Sequence, residues 1–440
     1  MAALDHRLGD LIDGRDAAVS VIGLGYVGLP LALAFAEAGF RVLGLDLDAE
    51  KVDTLNRGES YLGDFGQERI RPLVDSGTLS ATTDPNRLSE VDVVLICVPT
   101  PLAEDRSPDL RAVENTARSI LPNLRAGQLI VLESTTYPGT TQDVVRPILE
   151  SGGLECGRDF FLAYSPERED PGNSEYRLEA IPKVIGGVNE VSTELADRFY
   201  RTVVPKVVAV SSSQVAEAAK LTENIFRAVN IALVNELKII FDGMGIDVWE
   251  VLDAASTKPF GFMRFDPGPG WGGHCIPIDP FYLAWKARQT GSEARFIELA
   301  GKINTMMPRF VIAKLEQALA ERGSRLESAR ILLVGLAYKK NVADPRESPC
   351  FELIDALRRR GAEPRYHDPL IPRAPAMRNW PELGPLESEP LTATSLASHD
   401  AVLIVTDHDS IDYELIAEHA RLIIDTRGRF PRPSTNTVSA

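Results

Sequence analysis

The chain has 440 residues, of which 44% are hydrophobic and 25% charged, a composition typical of a globular protein with two or three domains. Its formal net charge of −16 disfavours nucleic acid and anionic membranes as partners. The four cysteines form no CxxC pair, and no apolar run approaches the roughly 20 residues of a membrane span. We therefore expect reduced thiols, a cytoplasmic location and no bound metal.

The first predicted elements are a strand at 19–22 and a helix at 29–38, separated by a turn with G-x-G-x-x-G spacing. Such glycines let a pyrophosphate approach the backbone at a helix N-terminus. A second strand at 41–45 ends at Asp46, where a carboxylate can bind ribose hydroxyls and repel a 2′-phosphate. The stretch predicts an NAD-binding domain that prefers NAD to NADP. Its cofactor-binding candidates in the turn are Gly23, Gly25, Tyr26, Val27 and Gly28.

Two further apolar runs, at 91–98 and 129–132, predict buried parallel strands. They are followed by Thr100 and Thr135, at the carboxyl edge where sheets of this kind bind ligands. A lone threonine there is more commonly a helix cap, so its functional interpretation depends on its neighbours.

A strand at 160–163 leads into Ser165-Pro-Glu167-Arg168, and runs at 184–187 and 206–210 are predicted to close the sheet. The charges at Glu167 and Arg168 could belong to a solvated loop, but the prolines and the glycine that follow indicate an ordered one.

From about residue 211 to 304 the pattern turns helical. A long amphipathic helix is predicted over 213–241, with Ser213 as its N-cap. Its polar side chains at i, i+4 and i+7 share one face and are Lys220, Asn224 and Arg227. A solvated polar stripe is the ordinary interpretation of such a trio, but this helix leads to the most unusual loop of the chain. A further helix at 294–322 contains Pro308, which predicts a kink or a junction.

That loop spans 264–279 and contains four glycines and three prolines. Glycine permits close approach and proline restricts the backbone, so the loop is suited to holding one reactive side chain rigidly. Cys275 is the candidate, with Gly272 and Gly273 before it and Asp279 four residues after it. Most intracellular cysteines are small buried hydrophobes, but a nearby cation or several backbone N–H groups would make this one a nucleophile.

The last part of the chain has the pattern of a second α/β domain. Strands are predicted at 330–336, 363–367, 401–406 and 422–425, with a helix at 350–360. The loop after the first of these strands lacks the glycine spacing and carries Lys339, Lys340 and Arg346, which suit a diphosphate or are ordinary surface charge. The predicted fold class is therefore α/β, with two doubly wound Rossmann-like domains joined by a central helical domain. Residues 431–440 are predicted to be a flexible tail.

In this order, the motifs resemble those of the nucleotide-sugar 6-dehydrogenases, the UDP-glucose/GDP-mannose dehydrogenase family, over about residues 17 to 430. The matching segments are Gly23 to Pro30, Ser165-Pro-Glu167, Lys220 to Asn224, Gly272 to Cys275 with Asp279, and Tyr338 to Ser348. His274 and Ile278 differ from the serine and lysine of the UDP-glucose branch and are similar to the N-acetylhexosamine branch. The segments 165–172 and 258–262 look most like UDP-N-acetylglucosamine enzymes, with UDP-N-acetylmannosamine enzymes as the alternative.

The resemblance implies oxidation of the C6 hydroxyl of a UDP-N-acetylhexosamine to the uronic acid, for surface polysaccharide biosynthesis. The expected substrate is UDP-N-acetylglucosamine, and the alternatives are UDP-N-acetylmannosamine and UDP-glucose. Two hydride transfers to NAD pass through a cysteine thiohemiacetal and thioester. The resemblance also implies a homodimer joined along 213–241. The implied domains are NAD-binding (1–210), central helical and dimerising (211–305) and UDP-sugar-binding (306–430), followed by the tail.

The resemblance also implies roles for single residues. Cys275 is the nucleophile, Lys220 and Asn224 stabilise oxyanions, Asp279 orients Lys220, and Glu167 with Thr135 holds the attacking water. The cofactor-binding residues, besides the glycine turn, are Asp46, Thr100, Thr135 and Arg346. The substrate-binding residues are Glu167, Arg168, Lys220, Asn224, Arg227, Gly272 and Lys339.

Two other interpretations remain. A two-electron dehydrogenase of the 6-phosphogluconate or hydroxyacid type shares the fingerprint and a helical middle, but lacks the cysteine loop and the second α/β domain. A non-catalytic NAD sensor or scaffold needs only the fingerprint and leaves Cys275, Lys220 and Asp279 unexplained.

Overall fold

The computed structural model describes residues 4–62, 66–103, 105–168, 180–273, 276–377, 379–430 and 435–440. The chain forms two compact units. The first contains Met1–Glu223 and Phe281–Ser292, and the second contains Asn224–Pro280 and Glu293–Ala440. His274 and Cys275 lie outside the described residues, as do 169–172 of the motif that begins at Ser165.

Among the residues that the structure describes, eight strands form the sheet of the first unit. They are β1 (Ala18–Ile22), β2 (Arg41–Leu45), β3 (Leu79–Thr82), β4 (Val93–Ile96), β5 (Leu129–Leu132), β6 (Phe161–Tyr164), β7 (Lys183–Gly187) and β8 (Val207–Ala209). Their order is β3-β2-β1-β4-β5-β6-β7-β8, and only β6 and β7 pair in an antiparallel manner. The first six strands have the order of a dinucleotide-binding sheet, which binds its ligand at the carboxyl ends beside β1 and β4.

Helices cover both faces of this sheet. They are α1 (Leu4–Gly14), α2 (Gly28–Glu37), α3 (Ala49–Asn56), α4 (Gln67–Asp75), α5 (Arg111–Ile120), α6 (Arg146–Glu150) and α7 (Glu190–Tyr200), and a π-helical turn at Thr140–Val145 precedes α6. Val19 and Val21 of β1 belong to one apolar layer, whereas Ala18 and Ile22 belong to the other. Burial on both faces explains why the strands are continuous apolar runs.

The long helix α8 (Ser213–Met244) begins at a cap that the sequence analysis assigned wrongly. The hydroxyl of Ser212 accepts the N–H of Val215 at 3.3 Å, and its carbonyl accepts the N–H of Ala216. Ser213, the predicted cap, is already within the first turn, and its buried hydroxyl has no hydrogen-bond partner in the described residues. Three consecutive serines, Ser211 to Ser213, offer the same signal in the sequence, and only the position at which the helix starts decides which of them is the cap.

Three further helices follow, α9 (Val248–Ser256), α10 (Asp279–Gln289) and α11 (Arg295–Glu321). Of the two alternatives predicted for Pro308, a kink or a junction, the junction is wrong, because α11 is continuous through this residue. The kink stays a prediction. Pro308 is buried, and its neighbours Val311 and Ile312 belong to the core of the second unit. This packing offsets the backbone hydrogen bond that a proline removes.

In the described part of the second unit, five strands form a parallel sheet. These are β9 (Arg330–Val334), β10 (Glu363–His367), β13 (Ala401–Ile404), β14 (Ile423–Asp425) and β15 (Thr437–Ser439), and a short antiparallel pair is formed by β11 (Arg373–Ala374) and β12 (Leu386–Glu387). The order is β10-β9-β13-β14-β15. The remaining helices are α12 (Pro349–Arg359), α13 (Ala393–Ser398) and α14 (Tyr413–His419).

The predicted flexible tail is wrong for its last residues, because β15 adds a strand to the edge of β14. The N–H of Ile423 donates to Asn436 O at 2.7 Å, and the N–H of Ala440 donates to Asp425 O at 3.0 Å. Val438 packs on the core, and Ala440 is buried. The proline, serine and threonine residues of this segment are typical of a disordered tail, but the free edge of a sheet can bind such a segment as an additional strand. Residues 431–434 lie outside the described part of the chain.

The predicted fold class is confirmed: the protein is α/β, with two Rossmann-like sheets and a helical segment between them in the sequence. In the described ranges, no helix is long and apolar enough to cross a bilayer.

Candidate active site

The glycine turn after β1 leaves no room for side chains at two of its glycines. Gly23 has φ +90°, and a Cβ on it would lie 2.6 Å from the carbonyl oxygen of Cys97. A Cβ on Gly28 would lie 1.9 Å from the carbonyl oxygen of Gly23. A Cβ on Gly25 would meet open space, which leaves the N-terminus of α2 accessible to a ligand. This cradle fits the pyrophosphate of a dinucleotide.

Asp46, at the end of β2, holds the turn from the other side. Its carboxylate accepts the N–H of Leu24 at 2.8 Å and that of Asp48 at 3.0 Å. Lys51 Nζ lies 3.7 Å from the same carboxylate, and the Tyr61 hydroxyl donates to Leu24 O at 2.7 Å. The acid is therefore fixed beside the turn, with lone pairs left for ribose hydroxyls. Lys51 and Tyr61 were not predicted from the sequence.

We expect Asp46→Asn to reduce the preference for NAD over NADP by about 10- to 100-fold, the scale of a hydrogen bond to a charged group. The amide can still accept from Leu24 and keeps the turn, whereas the negative charge that repels a 2′-phosphate is lost. Lys51 then remains as a partner for that phosphate. The ratio of kcat/KM for the two cofactors measures the effect, and Lys51→Ala in the same background should reverse part of it. An unchanged ratio would remove Asp46 from cofactor selection.

Two threonines follow the central strands, as predicted. Both are half-buried. The carbonyl of Thr100 accepts the hydroxyl of Tyr282 at 2.9 Å. The hydroxyl of Thr135 makes no hydrogen bond to another described residue, so it is available to a ligand or water.

A buried ion network lies at the carboxyl edge of β5 and β6. Lys183 Nζ donates to Glu133 at 2.8 Å and to Glu167 at 3.4 Å, and Tyr200 donates its hydroxyl to Glu133. Burial lowers the pKa of Lys183, but the two carboxylates outweigh it and hold this pKa above its ordinary value. Glu167 is thereby fixed beside a permanent positive charge. Of these three charges, only Glu167 was predicted from the sequence, although Glu133 and Lys183 also flank apolar strands.

The first half of α8 brings Lys220 to the same region. Lys220 is buried, and its Nζ donates to the carbonyl oxygen of Glu167 at 2.6 Å. Arg168, a predicted substrate ligand, pairs with Glu223 at 2.7 Å and donates to the carbonyl of Pro182. The guanidinium therefore ties the segment after β6 to α8.

One helical turn before Lys220, the fully buried Glu217 anchors the segment that follows Thr135. Its carboxylate accepts Gly139 N–H at 2.6 Å, Thr141 N–H at 2.9 Å and the Thr141 hydroxyl at 2.7 Å. Burial raises the pKa of Glu217 to about 7, although the three hydrogen bonds favour the charged form.

In the second unit, Asn224 and Asp279 form a buried pair. Asn224 Nδ2 donates to Asp279 Oδ2 at 2.5 Å. Asp279 is 2% exposed and begins α10. Arg227, which the sequence analysis grouped with Asn224, is exposed.

The glycines before the cysteine pack tightly on the loop after β9. A Cβ on Gly272 would lie 2.9 Å from Glu347 O, and one on Gly273 would lie 2.9 Å from the ring of Tyr338. Only glycine allows this approach. Lys339, half-buried, is adjacent in that loop. Arg346, predicted to bind the cofactor, is held within the loop by Asp344 at 2.5 Å.

Burial raises the pKa of every cysteine in the described part of the chain, Cys97, Cys156 and Cys350. These thiols are therefore poor nucleophiles at neutral pH. No three His, Cys, Asp or Glu side chains of the described residues are grouped as metal ligands.

Most of the sequence matches one family. Residues 17–204 match the NAD binding domain of the UDP-glucose/GDP-mannose dehydrogenase family, 214–306 its central domain and 332–432 its UDP binding domain. The chain belongs to the UDP-glucose/GDP-mannose dehydrogenase family. It is an NAD-dependent nucleotide-sugar dehydrogenase that acts on a UDP-sugar.

The relatives that are similar to this chain are named for two different substrates. The UDP-N-acetyl-D-glucosamine 6-dehydrogenase of Pseudomonas aeruginosa is 37% identical over 397 residues, 90% of this chain and 91% of that protein. The UDP-N-acetyl-D-mannosamine dehydrogenase of Salmonella typhi is 36% identical over 428 residues, 93% of this chain and 98% of that protein. A solved structure of the UDP-D-ManNAc dehydrogenase of Pyrococcus horikoshii has a TM-score of 0.86 at 33% identity and covers 96% of this chain and 98% of its own.

Proposed function

We propose that the substrate is UDP-N-acetylglucosamine and that its C6 hydroxyl is oxidised to the carboxylate, for surface polysaccharide biosynthesis. The observation that carries this proposal is the 37% identity to the Pseudomonas aeruginosa enzyme of that specificity, together with the segment 258–262. UDP-N-acetylmannosamine is the second candidate, because the Salmonella typhi and Pyrococcus horikoshii enzymes are nearly as similar. His274 and Ile278 argue against UDP-glucose.

In this proposal the carbon is oxidised twice while it stays bound to the enzyme. NAD, when bound at the glycine turn, supplies the hydride acceptor for each oxidation. After C6 loses one hydride and the proton of its hydroxyl to give the aldehyde, the thiolate of Cys275 adds to this carbon. The C–S bond forms, the C=O π bond breaks, and the resulting oxyanion takes a proton from the solvent to become a hydroxyl. Loss of the C6 hydride and of the hydroxyl proton then gives a thioester. Water breaks the C–S bond, which releases the carboxylate and returns the thiolate.

Lys220 and Asn224 stabilise the negative charge that develops on the C6 oxygen. They are one turn apart on α8, and both are buried, where a hydrogen bond to an oxyanion is strong. Asp279 accepts from the amide of Asn224 and fixes its orientation. The ammonium of Lys220 also favours the thiolate form of Cys275.

Glu167 is the proposed base for thioester hydrolysis, and Thr135 helps to hold the attacking water. Lys183 keeps the Glu167 carboxylate in place, and the free hydroxyl of Thr135 can bind a water. Lys339 is proposed to contact the UDP-sugar, together with Arg168, Arg227 and the backbone of Gly272. Arg346 pairs with Asp344 and thereby holds its loop in place. We propose that it contributes to cofactor binding through this loop.

The substrate proposal is tested by kcat/KM for UDP-N-acetylglucosamine, UDP-N-acetylmannosamine, UDP-N-acetylgalactosamine and UDP-glucose, measured with saturating NAD. We expect UDP-N-acetylglucosamine to be preferred by at least about tenfold, since one buried hydrogen bond to the N-acetyl group or to a sugar hydroxyl is worth about that much. A preference for UDP-N-acetylmannosamine would replace it with the second candidate. A preference for UDP-glucose would contradict the assignment to the N-acetylhexosamine branch.

We also propose a homodimer, joined through an apolar face of the second unit. Exposed apolar side chains on α8 recur every seven residues and therefore lie along one side of the helix; they are Phe226, Leu233 and Ile240. Helix α11 carries further exposed apolar side chains, Phe296, Leu299 and Met306. A surface of this kind typically marks a protein interface.

Leu233→Asp should convert the dimer to monomers, with the dissociation constant raised by about 100-fold or more. Each dimer contains the substitution twice, and a charge would replace an apolar contact in the interface. Light scattering coupled to gel filtration at micromolar protein measures the state. Leu370→Asp is the control, because it also places a charge at an exposed leucine but lies outside both helices. A dimer that survives Leu233→Asp would place the interface elsewhere.

A further inference from the structure

The loop after β9 is held by a buried histidine that the proposed chemistry does not use. His408 and Asp368 are fully buried in the UDP-binding domain. The N–H of Asn341 donates to His408 Nδ1 at 2.9 Å, and His408 Nε2 lies 3.1 Å from Asp368 Oδ2. Since a backbone N–H can only donate, Nδ1 is the unprotonated nitrogen. Nε2 therefore carries the proton of the neutral ring and donates it to Asp368.

Asp368 is itself fixed at the carboxyl end of β10. Its Oδ2 accepts Leu336 N–H at 2.7 Å and Ala337 N–H at 2.9 Å. Its Oδ1 accepts Leu370 N–H at 2.8 Å and Ile371 N–H at 3.1 Å. Burial raises the pKa of Asp368, but the hydrogen bonds, that from His408 foremost, outweigh it and keep this pKa below its ordinary value. The carboxylate is thus a rigid anchor on the sheet.

Asn341 is where the loop attaches to this anchor. It adopts φ +60°, an unusual conformation for a residue other than glycine. Its side chain exchanges two hydrogen bonds with Asp409, from Nδ2 at 2.7 Å and to Oδ1 at 3.0 Å. The strained backbone is therefore held by His408 on one side and by Asp409 on the other. Lys339 is two residues earlier in the same loop.

We propose that His408 is a positioning residue for UDP-sugar binding: its neutral ring connects Asp368 to the backbone of Asn341 and so sets the loop that carries Lys339. The inference rests on the proposed contact between Lys339 and the UDP-sugar. It adds a residue that touches neither the nucleotide nor the reacting carbon.

Two substitutions separate the two contacts of the ring. Asparagine ends at the δ position, so its amide oxygen can accept from Asn341 N–H but cannot reach Asp368. Glutamine reaches the ε position, so its amide can donate to Asp368 while Asn341 N–H loses its acceptor. We expect His408→Gln to raise KM for the UDP-sugar by about five- to tenfold, the scale of one hydrogen bond. His408→Asn keeps the acceptor for Asn341 N–H but loses the anchor on Asp368, so KM should rise less, by about two- to threefold.

Three further variants control this comparison. His399→Asn alters another fully buried histidine of the same domain, bonded to Ser395 O at 2.7 Å, and should leave KM unchanged. Asn341→Gly tolerates φ +60° but removes both bonds to Asp409, so it should raise KM even if the His408 variants fold poorly. Lys339→Ala tests the proposed contact between Lys339 and the UDP-sugar. A normal KM for the UDP-sugar in this variant would refute that contact, whereas the His408 variants test the role of His408 separately.

The outcome is measured by steady-state kinetics in which the UDP-sugar and NAD are varied in turn, and by the inhibition constant of UDP alone. The inference expects a higher KM for the UDP-sugar and a higher inhibition constant for UDP in His408→Gln, with kcat and KM for NAD unchanged. Equal effects of His408→Gln and His408→Asn, or parallel losses in kcat and both KM values, would mean that the ring only stabilises the fold.

Discussion

Replacing Cys275 with serine should reduce complete oxidation of the UDP-sugar by at least about 10³-fold, given the larger losses seen when a covalent nucleophile is removed. A serine hydroxyl is rarely ionised at neutral pH and does not form a thioester. The first oxidation can still occur, but the aldehyde is no longer held for the second. We expect the variant to release aldehyde and to give no covalent adduct by mass spectrometry.

Cys156→Ala is the matched control for this variant. Cys156 is buried, and burial raises the pKa of its thiol to about 12, so it is not a nucleophile at neutral pH. Its loss should leave turnover unchanged. Wild-type production of the uronic acid by Cys275→Ser would refute the assignment of the nucleophile.

Lys220→Ala should lower kcat by about 10²- to 10³-fold with a smaller change in KM, as is typical when one oxyanion donor is removed. The ammonium is buried and directed at the Glu167 carbonyl, so the substitution also loosens the segment that carries the proposed base. Both effects act on the transition state more than on substrate binding.

Lys238→Ala separates this effect from the general cost of removing a buried lysine from α8. Lys238 is also buried in that helix and bonds to Ser439 of β15. Its loss should lower the melting temperature with little change in kcat. If Lys220→Ala raised only KM, Lys220 would be a binding residue.

Local signals in the sequence were sufficient for much of the fold. The G-x-G-x-x-G turn predicted α2 and the NAD site, because its glycines are required by contacts within a few residues and with one neighbouring strand. The strands at 41–45, 129–132 and 363–367 were predicted with the limits that the structure shows, because a glycine with positive φ lies two residues before each of them, at Gly39, Gly127 and Gly361. The run at 91–98 was predicted too long, because apolar residues also flank β4.

Features that depend on distant parts of the chain were missed. Thr437–Ser439 is a strand only because β14 presents a free edge. Lys183 lies 50 residues from Glu133 in sequence, so each charge is visible beside an apolar strand, but nothing local shows that the two are partners. His408 likewise meets Asn341 across 67 residues. The roles of the candidate catalytic residues were inferred from family motifs, whereas the structure adds the partners that hold Glu167, Lys220 and Asn224.

The most direct test of this account is the amount of NADH formed per UDP-N-acetylglucosamine when the sugar is limiting and the reaction is run to completion with excess NAD. The account predicts two NADH per sugar and a uronic acid product, with at most one NADH per sugar in Cys275→Ser. One NADH per sugar in the native enzyme, with an aldehyde or ketone as product, would contradict the covalent role of Cys275 and the four-electron reaction.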